Sequence, residues 1–440
     1  MDFTQGSATE SGAIESHAAG SAGKRPRYRF VDCFAGLGGF HVALNKLGHE
    51  CVFACELDEE LRQTYQANFG IEPDGDIRAV DARDVPEHEI LCAGFPCQPF
   101  SLAGKKNGAK CPESGKLIDD VFRLVEHHRP KYVLLENVPN VLTIARGTFW
   151  RHIERRFGEL GYTVEHRIFS PLQFGIPQQR LRLFIVARLK GEPAFEWPAP
   201  SPESVTPLSQ FIRQSPDRLR TLEPAKRRAI DTWNRLIANL PEFTSHTILA
   251  AEFGATYPLD GLTAHRPWRS HRGAFGKPLE ELESREAAIA ELPNYVTSND
   301  GSVPTWMRPY VLTTRRLYAM APDLFDEVKD QIAKMPKSWQ KLEWRGDRSK
   351  PDLWAQTIQF RASGIRVMKP DMAPSLVAMT PTQTPIIGAN KRYISVREAA
   401  SLQALDELKE FPENNERAFR ALGNAVNARI VYAVAQAALR

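Results

Sequence analysis

The sequence predicts an α/β protein: a doubly wound parallel sheet with helices on both faces, followed by a smaller region of irregular texture. Three observations predict it. Short apolar runs alternate with helical spacing from Arg29 to about Leu189. A glycine-rich turn follows the first of those runs. The regular pattern then stops near Pro193, where prolines crowd at 193, 198, 200, 202 and 207. A chain of 440 residues, 42% of them apolar, has enough material for two or three domains with full cores.

The elements run in order. Strands are expected at Arg29 to Phe34, Cys51 to Cys55, Ile90 to Ala93, Tyr132 to Leu135, Val164 to Phe169 and Leu183 to Ala187. Helices are expected at Gly39 to Leu47, Asp58 to Phe69, Leu117 to His127 and Phe149 to Leu160. Strands separated by helices imply parallel pairing and a doubly wound sheet. Between 210 and 390 only helical windows stand out, at Pro224 to Leu240, Leu279 to Leu292 and Pro322 to Met335. Basic residues cluster there: Arg213, Arg218, Arg220, Lys226, Arg227 and Arg228; Arg266, Arg269 and Arg272; Arg361, Arg366 and Lys369. Trp268, Trp306, Trp339, Trp344 and Trp354 sit among them. Core tryptophans on a charged surface are the ordinary reading; nucleic-acid contact is the alternative. From Val396 the chain turns helical again.

Bulk properties exclude several classes. The formal charge of +4 permits a nucleic-acid partner without requiring one. Six cysteines, Cys33, Cys51, Cys55, Cys92, Cys97 and Cys111, all fall in the first 111 residues. A disulfide-stapled secreted protein would spread them, and no second pair follows Cys51 and Cys55 at zinc-ligand spacing. A reduced intracellular protein is expected, with cysteines other than Cys97 filling the core. There is no apolar run long enough for a membrane span. Residues 1–23 read as a tail rich in Ser, Ala and Gly, ended by Lys24, Arg25 and Arg27.

The chemistry begins at Phe34-Ala35-Gly36-Leu37-Gly38-Gly39. Glycines after a strand allow a tight turn and bring bare backbone amides up to a ligand. Glu56, eighteen residues past Gly38 at the end of the second strand, is placed to accept hydrogen bonds from two ribose hydroxyls. Asp76 and Ile77 can address an adenine amino group and ring face. The constellation marks a nucleoside cofactor but leaves nicotinamide and sulfonium cofactors both open.

The third strand runs into Phe95-Pro96-Cys97-Gln98-Pro99-Phe100-Ser101. A cysteine just past the carboxyl end of a parallel strand faces the crevice where ligands bind. Its thiolate is a strong nucleophile. Added to C6 of cytosine, it would break aromaticity and turn C5 into an enamine carbon. Glu136, 39 residues after Cys97 and at the end of the next strand, is expected at the same sheet edge. It would share a proton with N3, so its pKa should rise in the closed site. Arg180 and Arg182 alternate before the last strand and face one side; Arg182 can hold the base carbonyl, and Arg180 can brace Glu136 or a phosphate.

These segments resemble the C5-cytosine methyltransferase family. Phe34 to Gly39 resembles its cofactor loop, Gly94 to Ser101 its nucleophile segment, and Glu136-Asn137-Val138 with Gln178-x-Arg180-x-Arg182 its base-holding segments. Val396-Arg397-Glu398-Ala399-Ala400 and Gly423-Asn424-Ala425-Val426 resemble its two closing motifs. The resemblance covers roughly residues 28–189 and 391–440. One departure is Asn427-Ala428, where many members carry prolines.

The resemblance implies a Rossmann-like S-adenosylmethionine-dependent core. Its cofactor site would draw on Phe34, Ala35, Gly36, Gly38, Gly39 and Glu56. Leu57, Asp76, Ile77, Pro96, Asn424 and Val426 would complete it. Cys97, Glu136, Arg180 and Arg182 would be catalytic, with no metal. It further implies a tail to residue 27, a catalytic domain at 28–192, a target-recognition domain at 193–390 and a helical return at 391–440. Double-stranded DNA would be the substrate, its cytosine would be flipped out, and the basic residues between 210 and 390 would supply phosphate contacts and base readout. Residues Ser101 to Cys111 would form a lid. The expected setting is a bacterial cytoplasmic monomer, protecting DNA from a restriction endonuclease that acts on the same site. Three rivals stay open: a transfer-RNA cytosine methyltransferase, a non-enzymatic DNA-binding relative and a nicotinamide dehydrogenase.

Overall fold

The computed structural model describes residues 26–96, 117–200, 205–213, 219–240, 247–262, 267–349, 351–376 and 383–439. Cys97, the expected lid from Ser101 to Cys111, residues 1–23, Lys24, Arg25, Arg218 and Arg266 lie outside the described residues.

The first sheet has six strands: β1 (Arg29–Cys33), β2 (Glu50–Cys55), β3 (Ile90–Ala93), β4 (Tyr132–Asn137), β5 (Tyr162–Phe169) and, after the two-residue β6 (Gln178–Gln179), β7 (Arg182–Leu189). Their order is β2-β1-β3-β4-β7-β5. The first four pair in parallel because α1 (Gly39–Lys46), α2 (Glu59–Phe69) and α3 (Leu117–His128) carry the chain back between them. One strand departs from the parallel pairing. β7 is antiparallel to both β4 and β5. The reason is local: α4 (Thr148–Glu159) separates β4 from β5, but only short turns separate β5 from β7, so no crossover reverses the chain.

Both faces of this sheet are buried. Leu91, Val133 and Ile185 pack with Phe122 and Val125 of α3 and Ile153 and Phe157 of α4. The alternate residues Phe30, Cys92, Leu134 and Phe184 face a second layer that includes α1 and the chain's end. That layer is the helical return: α9 (Val396–Ser401), α10 (Asn415–Asn424) and α11 (Ala428–Ala438). Asn427, at the departure from the proline pattern, caps α11. Its Oδ1 accepts from the Ile430 amide at 3.2 Å, and its Nδ2 donates to the Leu402 carbonyl at 3.0 Å.

The middle of the chain holds more order than its helical windows suggested. Besides α5 (Pro224–Ala238), α6 (Arg285–Ala290), α7 (Arg308–Met320) and α8 (Pro322–Ala333), it forms a second six-stranded sheet. Its strands are β8 (Thr247–Leu249), β9 (Leu342–Arg345), β10 (Thr357–Arg361), β11 (Gly364–Met368), β13 (Ile386–Ile387) and β14 (Arg392–Tyr393). The order is β14-β13-β10-β11-β9-β8. Trp233, Phe253, Phe325 and Trp344 fill the core beneath it. The two-residue β12 (Ala373–Pro374) leaves this region and pairs with β6, joining the two halves beside the site.

Among the described cysteines, Cys33, Cys55 and Cys92 are buried and Cys51 is half-buried, all as free thiols. No described helix is long and apolar enough to cross a membrane.

Candidate functional site

A cavity of about 590 Å³ opens over the carboxyl ends of β1 to β4. Its floor is the glycine turn. Gly38 takes φ 77° at the N-terminus of α1, and a Cβ there would strike the Phe69 ring. Gly38 does not line the cavity; its role is the turn and the close packing of α1 on α2. A Cβ on Gly39 would collide with the Val426 carbonyl, so glycine at 39 lets the helical return close one wall.

Phe34, Ala35, Gly36, Gly39, Glu56, Leu57, Asp76, Ile77 and Pro96 all line this cavity, and Asn424 and Val426 line it from the return. Glu56 ties the floor together. One carboxylate oxygen accepts from the Gly36 amide at 2.9 Å and the other from the Asp58 amide at 2.9 Å. Burial raises its pKa, and those amides oppose the rise. Leu57 is 67% exposed, an apolar side chain held open at the rim. Asp76 is engaged by Arg78, whose Nε lies 3.0 and 2.9 Å from its two oxygens and holds its carboxyl below the ordinary range.

The same cavity reaches Glu136, Arg180 and Arg182. Glu136, the penultimate residue of β4, is 6% exposed, and Arg182 Nε stands 3.1 Å from its Oε1. Burial pushes the Glu136 carboxyl above the usual carboxylate range, with Arg182 and then Arg180 opposing. The structure revises the two arginines' roles. Arg182, not Arg180, braces Glu136. Arg180 is buried, and it donates to the carbonyls of Leu376 at 3.2 Å, Gly423 at 2.7 Å and Ala425 at 3.1 Å. Desolvating a guanidinium costs several kcal/mol, so three carbonyl acceptors are what make that site tenable. Arg180 thus sutures the middle region and the return to the cavity.

Asn137, expected only as part of the Glu136-Asn137-Val138 segment and without a role of its own, is a residue that the site needs. Its Nδ2 donates to the Phe95 carbonyl at 2.8 Å, fixing the segment that leads to Cys97 against the strand that carries Glu136. Its position directly after Glu136 was the available signal. Ser375 and Leu376, which close the cavity from the middle region, had no motif to reveal them.

A sheet with one strand reversed, and a nucleoside-sized cavity over its carboxyl edge, define a Rossmann-like methyltransferase. The comparisons narrow that class. Residues 28–440 match the family model described as C-5 cytosine-specific DNA methylase, and the chain belongs to that family. It is 30% identical over 481 aligned positions to the Type II methyltransferase M.AluI of Cellulosimicrobium cellulans, covering 92% of this chain and 90% of that one. It is 42% identical over 158 residues to the Type II methyltransferase M.HhaI of Haemophilus parahaemolyticus, covering 36% of this chain. It is 40% identical over 173 residues to the Type II methyltransferase M.MspI of Moraxella sp, covering 39% of this chain. Those two matches span 48% and 41% of the relatives, about half their length or less. Among solved structures, the Entamoeba histolytica methyltransferase EhMeth aligns with a TM-score of 0.52 at 12% identity, over 94% of this chain and 98% of that one. A protein described as a DNA modification methyltransferase encoded within an E. coli prophage aligns with a TM-score of 0.51 at 17% identity, over 92% of this chain and 97% of that one. At such identities these two likenesses bear on the fold alone.

Proposed function

We propose that this chain is a DNA (cytosine-5)-methyltransferase that uses S-adenosylmethionine and forms a covalent adduct through Cys97. The supporting observation is a single cavity that joins a nucleoside cradle to a buried carboxyl–guanidinium pair. The residues suit the cofactor: open glycine backbone at Gly36, an anchored carboxylate at Glu56 for the ribose, and the apolar Leu57 and Ile77 for the adenine. When bound there, the cofactor supplies an electrophilic methyl group to C5.

The chain's own residues do the rest. Cys97 Sγ forms a bond to C6 of a cytosine held out of the helix, which costs a few kcal/mol offset by pocket contacts. Glu136 supplies a proton at N3, and Arg182 orients it while its remaining N–H groups hold the base carbonyl. After C5 gains the methyl, a water takes the C5 proton, the electron pair left behind expels Sγ from C6 as the Cys97 thiolate, and N3 returns its proton to Glu136. Residues 28–192 with the return at 391–440 form the catalytic domain of this proposal, and 193–390 the recognition domain. Double-stranded DNA is the substrate. The chain works as a monomer in a bacterial cytoplasm and shields one site from a restriction endonuclease.

The test is a Cys97→Ser chain incubated with cofactor and duplex DNA bearing 5-fluorocytosine, beside the unaltered chain. The unaltered chain is expected to trap as a protein–DNA adduct stable to denaturation, and the variant to give none. An adduct formed by the variant would place the nucleophile elsewhere.

A further inference from the structure

The second sheet has one face in the core and one face of charge. Along β9, β10 and β11 the alternate residues Leu342, Trp344, Ile358, Phe360, Ile365 and Val367 are buried. The residues between them, Glu343, Arg345, Gln359, Arg361 and Arg366, share the opposite face, where Glu343 and Gln359 are buried and the three arginines half-buried. Glu343 and Arg366 are register partners on parallel strands, and Gln359 opposes Arg366 on the next.

One carboxylate there serves three guanidiniums. Arg366 Nε stands 3.2 Å from Glu343 Oε2, Arg345 Nε 2.6 Å from Oε1, and Arg361 donates to the same group. Lys341, just before β9, adds a fourth cation, whose Nζ lies 6.0 Å from the centre of the Trp306 ring. A carboxylate offers about four lone-pair positions, whereas three guanidiniums carry fifteen N–H donors. Arg361 Nε is buried without an acceptor among the described residues. Burial and then the Arg361 charge lower the Lys341 pKa, and burial with the charges of Arg366 and Arg345 lowers that of Arg361, with Glu343 opposing in both. A brace built for stability alone would not gather this surplus. Arg345 and Arg366 still reach solvent, at 39% and 26% side-chain exposure, and so does Trp306. Exposed aromatics beside cations are typical of nucleic-acid surfaces. Nine residues beyond Arg366, Ser375 lines the active-site cavity, so the charged face and the site are joined by a short stretch of chain.

We infer that this face holds DNA, with Glu343 as a positioning residue that splays Arg345, Arg361 and Arg366 so that their free N–H forks meet acceptors on the duplex. The inference rests on the methyltransferase reading and deepens it. Two acceptors on a duplex share the required chemistry: phosphate oxygens, and the O6 and N7 edge of guanine.

The experiment uses the full chain with Arg345→Gln, Arg366→Lys or Arg366→Ala. The probe is a duplex carrying the site that the unaltered chain methylates. Binding is measured across salt concentration, and base choice by bisulfite sequencing of a randomised duplex library. A phosphate contact predicts weaker binding to every sequence, a salt slope smaller by about one, and tolerance of Arg366→Lys. A guanine contact predicts that lysine fails, with roughly 5- to 150-fold weaker binding and relaxed choice at one base pair. Either result supports the inference. Unchanged affinity, salt slope and base choice, in variants that melt like the unaltered chain, would overturn it and leave the cluster an internal brace. Should Arg366→Ala fail to fold, the more exposed Arg345→Gln decides the matter. An unaltered chain that neither binds nor methylates duplex DNA overturns both readings, whereas transfer with indifferent variants overturns this one alone.

Discussion

The two six-stranded sheets of this protein use charge in opposite ways. In the cavity over the first sheet, charges are few, wholly or half buried, and each is held by its own partners: Glu136 has Arg182, Arg180 has three carbonyls, and Glu56 has two amides. On the second, three arginines crowd one carboxylate, and two of them, Arg345 and Arg366, still reach solvent. A matched, buried group defines one geometry and suits a small ligand that must be held to within a fraction of an ångström. A surplus of half-exposed cations defines a field and suits a long polyanion. The difference teaches where each kind of mutation should register: in turnover at the first sheet, in DNA affinity and salt response at the second.

The largest expected effect sharpens that division. Cys97→Ala should reduce methyl transfer to background while duplex binding stays within a few-fold of the unaltered chain, measured by radiolabel incorporation and by gel shift. Retained turnover would mean that Cys97 is not the nucleophile.

Glu136→Gln comes next, with an expected fall in single-turnover rate of about 10²–10⁴-fold, the usual range for losing a general acid. The pH profile carries a second reading. Because burial raises the Glu136 pKa, its protonated form persists to higher pH than an ordinary carboxyl allows, and the contribution fades as pH rises through that shifted value. The unaltered chain should therefore show a basic-side decline that the Gln variant lacks. Parallel profiles in the two chains would break the assignment.

Gly39→Ala tests how far the first sheet depends on the return. The added methyl meets the Val426 carbonyl, so α1 and the final turn must separate. A loss of about 1–3 kcal/mol in stability is expected, together with weaker cofactor binding in calorimetry. A chain that melts and binds normally would show that the return is not a wall of the cavity.

The smallest effect concerns Asp32, buried below the cofactor loop with one oxygen lacking a hydrogen-bond partner among the described residues. Burial raises its pKa well above the ordinary range, with the His41 backbone and Tyr65 opposing. A carboxyl raised in the fold stabilises fully below its unfolded pKa of about 4 and loses that contribution as pH rises. Asp32→Asn should thus melt at or above the unaltered chain at pH 8, with the gap closing toward pH 4. A lower midpoint at pH 8 would mean that the charged form is the one the fold uses.

The first sheet was legible because chemistry constrains it. Ile90 to Ala93 was placed to the residue, and the other strands of that sheet to within two residues at each end, since their apolar runs are bounded by glycine and by helical spacing. The reversal of β7 escaped because nothing in Arg182 to Leu189 records direction; only the missing helix before it does. The arginine roles escaped for a related reason. Alternation puts Arg180 and Arg182 on one side, but which reaches Glu136 depends on where Gly423 and Leu376, distant in the chain, come to rest. In the second sheet a signal was present and passed over. Thr357 to Met368 alternates strictly around Ala362-Ser363, with Ile358, Phe360, Ile365 and Val367 turned inward. The basic residues drew the eye to charge, while the period of two between them marked a hairpin.

The measurement that tests the central claim most directly is transfer of a tritiated methyl group from S-adenosylmethionine to unmethylated plasmid DNA, followed by bisulfite sequencing of the product. The account predicts label in DNA and conversion-resistant cytosines in one short, repeated sequence context. Label in transfer RNA and none in DNA would contradict it.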